Sequence, residues 1–123
     1  MLTKKEALEK TVHMWRWIAE ECEKQKRTVD EEEYFKYCGE VNYPEANCYL
    51  CEYQYQHQLH SCLIEKWNNI YNYCWNNCIY YEFGDYCDSF DDDDYKKCAK
   101  AANTIANLAE MELKKLEKEK IRY

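Results

Sequence analysis

The chain has 123 residues, enough for one core and too few for two. Two glycines and one proline, Pro44, leave few breakers, so a strand-rich fold is disfavoured and a mainly α fold is expected. The net charge of -7 is uneven: residues 28–97 carry four basic against fifteen acidic side chains, or -11. Such a field repels phosphates and attracts basic surfaces, which excludes direct nucleic-acid binding as the first expectation and points to a protein partner with a basic surface.

No apolar run approaches a membrane span, and Met1-Leu2-Thr3-Lys4-Lys5-Glu6 has no apolar signal region. The expected location is the cytoplasm, in a chain acting as a monomer. A reducing compartment and an odd count of nine cysteines favour metal ligands or free thiols over a disulfide framework.

In chain order, Leu8, Val12, Trp15, Ala19 and Cys22 form one amphipathic stripe, predicting a helix over Lys4 to Lys26. Thr28-Val29-Asp30-Glu31 has the form of a capping box, with a short helix running from it to Cys38 and ending at Gly39. From Val41 to Tyr86 tyrosine, asparagine and cysteine dominate without a sustained heptad, so this segment is expected to need something besides an apolar core. Short helices or a small hairpin would both fit it. The run Asp91 to Asp94 opens a last helix over 92–120, with Cys98, Ala102, Ile105, Ala109 and Leu116 at helical spacing and lysines toward its end. The expected architecture is therefore two long helices packed together, flanking a compact cysteine-rich middle over 41–87.

Cys48 and Cys51 form a Cys-x-x-Cys pair, followed by Cys62, Cys74, Cys78 and Cys87. Two thiolates on one turn plus two from elsewhere is how a tetrahedral structural zinc is commonly built, and zinc binding supplies roughly 10–16 kcal/mol in small zinc peptides. Cys48 and Cys51 are the surest ligands. Cys62 follows, with His57 and His60 as neighbours able to substitute, and Cys74 or Cys78 completes the set. Cys22, Cys38 and Cys98 lie on or at the ends of helices and read as ordinary thiols.

The run Cys48-Tyr49-Leu50-Cys51-Glu52-Tyr53, then His60-Ser61-Cys62-Leu63-Ile64-Glu65-Lys66-Trp67, then Cys74 and Tyr80-Tyr81-Glu82-Phe83, resembles a group of small zinc-binding proteins of phages and mobile elements in low-GC bacteria. The resemblance covers residues 47–83. It implies Cys48, Cys51, Cys62 and Cys74 as zinc ligands, with Cys78 as the competitor for the fourth place. Two positions depart from the group's pattern: Leu59 stands where a further cysteine falls, and Leu63 where a proline falls.

Other chemistry is poorly supported. His57-Gln58-Leu59-His60 lacks the glutamate beside the first histidine that zinc hydrolases use as base. A redox dithiol needs a strand before its Cys-x-x-Cys, whereas Pro44-Glu45-Ala46-Asn47 precedes this one. Asp85, Asp88 and Asp91 to Asp94 miss the spacing of a calcium loop and read first as a solvated helix cap. The same carboxylates can present charge to a basic groove much as a phosphate backbone does. The twelve tyrosines between Tyr34 and Tyr95 exceed what a small core can hold and suit an interface, although an AT-rich coding bias gives the same composition. The expected function is a non-catalytic binding protein. Its acidity, small size and zinc resemble anti-CRISPR proteins that bind a type II RNA-guided nuclease and block loading of target DNA. The alternative is a zinc-dependent phage regulator or adaptor.

Overall fold

A computed structural model describes residues 2–39, 48–59, 62–68 and 82–121. Five α-helices carry the fold: α1 (Lys4–Gln25), α2 (Glu31–Cys38), α3 (Tyr49–Gln56), α4 (Glu82–Asp91) and α5 (Tyr95–Ile121). A short 3-10 helix spans Glu65–Asn68, and no strand occurs among the described residues. As the composition implies, the protein is mainly helical, with its two long helices packed against each other.

α1 begins with a reciprocal box: the Thr3 hydroxyl accepts from the Glu6 amide, and the Glu6 carboxylate accepts from the Thr3 amide. It ends where Lys26 turns left-handed, one residue earlier than the periodicity suggests. Its buried stripe contains Leu8, Met14, Trp15, Ile18 and Cys22. On α5 the facing stripe is small: Ala99, Ala102, Ala106 and Ala109 are buried beside Ile105 and Cys98. Alanine lets the two backbones approach closely, so the bulk of Trp15 and Leu8 fills the seam. Arg16 fixes the antiparallel register, donating to Asn103, Asn107 and Glu110 at 3.3, 2.7 and 2.7 Å, three positions on one side of α5.

The short helices clasp this pair. Tyr86 of α4 presents its ring edge-on to Trp15 at 4.7 Å between centroids, with Phe83 and Phe90 on either side. Glu82 of α4 accepts from Lys66 and from the Trp67 indole, which ties the 3-10 helix to α4. α3 lies against α1, where the Leu2 amide donates to Gln56 and His57 meets the Leu2 carbonyl at 2.8 Å.

The start of α2 differs from the expected box. Its N-cap is Asp30, which accepts from the Glu33 amide while Glu33 accepts from the Asp30 amide; Thr28 plays no part. Two overlapping T/D-x-x-E patterns compete here, and burial selects the second. Val29 is fully buried and its carbonyl accepts from the Tyr86 hydroxyl at 2.9 Å, so the chain stays extended through residue 29. Gly39 does close α2 in the left-handed region, φ 67°, as its position suggests. α5 likewise starts at Tyr95 and not at 92, because Asp93 takes a positive φ of 49° and Asp94 caps the helix through the Lys97 amide.

Trp15→Ala is expected to lower the unfolding free energy by about 3–5 kcal/mol, since it empties the seam. Asp30→Ala is expected to lower it by about 1 kcal/mol, and Thr28→Ala by less than about 0.5 kcal/mol. Urea unfolding followed by circular dichroism separates the three.

Candidate functional site

The chain enters α3 in extended conformation at Cys48, φ -149° and ψ 122°, and Cys51 lies in the helix's first turn. The Cys-x-x-Cys spacing therefore places both sulfurs at one helix end, and no conventional side-chain bond caps that end. Hydrogen bonding from Cys51 holds the Cys48 thiol below its ordinary value, and the Leu50 and Cys51 amides act in the same direction against burial and the nearby Glu31. Amide hydrogens at a helix start favour the thiolate form of such a sulfur, which is the form that binds soft metals.

The remaining expected ligands fall differently. Cys62 is buried in the apolar core cluster beside Ile64 and Trp67. His57 sits at the far end of α3 from Cys48, about 12 Å along an eight-residue helix, with its Nε2 against the Leu2 carbonyl. It is thus removed as a substitute ligand by the length of the helix. Cys74, Cys78 and His60 lie outside the described residues. Among the described residues no three His, Cys, Asp or Glu side chains gather as a metal site. Of the expected ligands, the structure brings together Cys48 and Cys51, whose thiols hydrogen-bond at the start of α3.

The acidic cluster is also in view. Asp85, Asp88 and Asp91 project from α4 within about a third of its circumference, by the 100° step of a helix. Asp92 and Asp93 form the following turn, and Asp94 caps α5. All six are exposed, and Lys97 pairs with Asp92 at 3.2 Å. The cap explanation therefore holds for Asp94, while the others form a charged ridge along α4 and its turn.

Two features escaped sequence reasoning. Glu31, expected to serve in the capping box, instead sits beside Tyr86; burial lifts its carboxyl to about 7 while the Tyr86 hydroxyl pulls the other way. The second is a contact between the Cys22 and Cys98 sulfurs at 3.1 Å across α1 and α5. Both cysteines belong to the predicted apolar stripes, and pairing those stripes antiparallel would have placed the end of one beside the start of the other.

Because Glu31 holds its proton more tightly in the folded chain than unfolded, the folded state binds more protons between about pH 4.5 and 7. Stability is expected to fall as pH rises through that window and to level off above it. Position at the start of α2 favours the carboxylate and offsets part of the penalty. Glu31→Gln is expected to flatten this slope, measured by urea unfolding at pH 5 and pH 8.

Compared with protein-family models, with curated proteins and with solved structures, the chain matches none.

Proposed function

We propose that the chain is a non-catalytic binding protein that presents the α4 ridge to a basic protein surface and uses Cys48 and Cys51 as half of a structural zinc site. The observation that carries the reading is the exposed set Asp85, Asp88, Asp91, Asp92 and Asp93 on one helix and its turn, within the acidic segment 28–97. Carboxylates fixed on a helix keep their spacing without losing side-chain freedom on binding, so they can match a groove built for phosphates. α4 is held by Tyr86 and Phe83 against Trp15, which leaves the ridge free to face outward.

Zinc would be held by the thiolates of Cys48 and Cys51, with the remaining donors supplied by Cys62, Cys74 or Cys78. Its chemistry there is structural: it would staple the tyrosine- and asparagine-rich middle to α3. The narrower target follows from the resemblance to phage proteins and from charge: a type II RNA-guided nuclease, whose guide and target strands run in a basic channel. Binding there would exclude target DNA stoichiometrically.

One observation favours a rival. A Cys-x-x-Cys at a helix start with the first thiol held low is also the arrangement of a dithiol redox site. Such sites commonly follow a strand, whereas Pro44-Glu45-Ala46-Asn47 precedes this pair in the sequence, so the zinc reading is preferred.

Elemental analysis of the purified chain is expected to give about one zinc per molecule, lost in both Cys48→Ser and Cys51→Ser. A metal-free chain that reduces insulin disulfides would establish the redox reading instead. In a cleavage assay with a guide-loaded type II nuclease, one equivalent of the chain is expected to stop cutting. Asp85→Asn, Asp88→Asn and Asp91→Asn combined are expected to weaken binding at least about tenfold, with the loss shrinking at high salt. Retention of the chain on DNA at moderate salt would support the regulator alternative and overturn the inhibitor.

A further inference from the structure

Cys22 and Cys98 form a second cysteine pair, carried by α1 and α5 and not by α3. Cys22 closes the last turn of α1, Cys98 opens α5, and neither has any exposed surface. Their sulfurs stand 3.1 Å apart, closer than an ordinary non-bonded sulfur contact, with the Cys22 thiol donating to Cys98. A disulfide bond is about 2.05 Å long, so a contraction of roughly 1 Å would join them.

The surroundings fix this approach. Val29, fully buried, turns its carbonyl toward the Cys98 sulfur at 4.0 Å while accepting from Tyr86. Ser89 of α4, also fully buried, donates to the Tyr86 carbonyl at the same junction. α1, the Val29 linker, α4 and α5 all meet at the two sulfurs, and the alanine seam holds the helix pair at short range.

We propose that Cys22 and Cys98 are the site of a reversible disulfide, formed with a small hydroperoxide as oxidant, that staples α1 to α5. Hydrogen peroxide is small and uncharged enough to reach them when the α4–α5 turn opens locally. The shared hydrogen bond assigns the roles: it holds the Cys98 thiol down and the Cys22 thiol up, so Cys98 is the first nucleophile. The Cys98 sulfur attacks one peroxide oxygen, the O–O bond breaks, and the leaving hydroxide takes the thiol proton as water. The Cys22 sulfur then attacks the Cys98 sulfenic sulfur, an S–S bond forms, the S–O bond breaks, and hydroxide leaves with the Cys22 proton as a second water. Two thiols lose two electrons and one peroxide gains them. The bond would close a loop across a sequence separation of 76 residues, so its effect on the unfolded chain is large.

The test treats the intact purified chain with hydrogen peroxide, quenches it in N-ethylmaleimide under denaturing conditions, and maps the cysteines by digestion and mass spectrometry. The expected result is a peptide pair joined through Cys22 and Cys98, reversed by dithiothreitol. A rise of about 10 °C in the non-reducing melting temperature should accompany it, and Cys22→Ala should lack that rise. Mapping on the unaltered chain does not depend on the variant's folding. Recovery of both residues as maleimide adducts, or of Cys98 over-oxidised without the cross-link, overturns the proposal. So does a cross-link confined to Cys48 and Cys51.

Discussion

The alanine face of α5 against the bulky face of α1 is the contact on which everything else in the structure rests. Ala99, Ala102, Ala106 and Ala109 let the helices come close, and Trp15, Leu8 and Ile18 then fill what the small residues leave. Neither face could be buried alone, because a single amphipathic helix in water has nowhere to put its stripe. Once paired antiparallel, the two helices offer flanks on which the shorter ones can dock: α3 and α2 on α1, α4 on α5. No helix among the described residues is long and apolar enough to cross a membrane.

Tyr86 converts that seam into a junction. Its ring packs on Trp15, its hydroxyl reaches the Val29 carbonyl, and the Glu31 carboxyl lies beside it. A backbone carbonyl buried at a linker would otherwise lack a donor, so this one hydroxyl lets the α1–α2 connection run through the interior. The same geometry keeps α4 fixed with Phe83 and Tyr86 inward and its aspartates outward. Rigidity of the ridge is thus a consequence of the core behind it, which is what a charge-matching surface needs.

The cysteines divide along the same physical line. Cys22, Cys62 and Cys98 are buried with the core, whereas Cys48 and Cys51 sit half-buried at an open helix end where amides can support a thiolate. Cys38 and Cys87 are exposed. The seven described cysteines therefore do not share one environment, and spacing along the chain distinguishes them less well than the place in the fold they occupy.

Period and composition were sufficient for α1 and α5, because apolar residues at alternating three and four spacings can face a core in only one conformation. They were sufficient too for Gly39 as the end of α2 and for Cys48 with Cys51 as a pair, since both follow from local geometry. The start of α2 was not legible: Thr28 and Asp30 head equally good capping boxes, and burial of Val29 under Tyr86 chose between them. α4 was hidden as well, because Gly84 and its aspartates read as loop until Phe83 and Tyr86 find Trp15 to pack on. Glu31 beside Tyr86 and the Cys22–Cys98 contact are likewise products of pairing elements distant in the chain. Local propensity speaks for what one segment can do by itself; which of two equal caps forms, and which side chains meet, depends on partners that only the packed chain supplies.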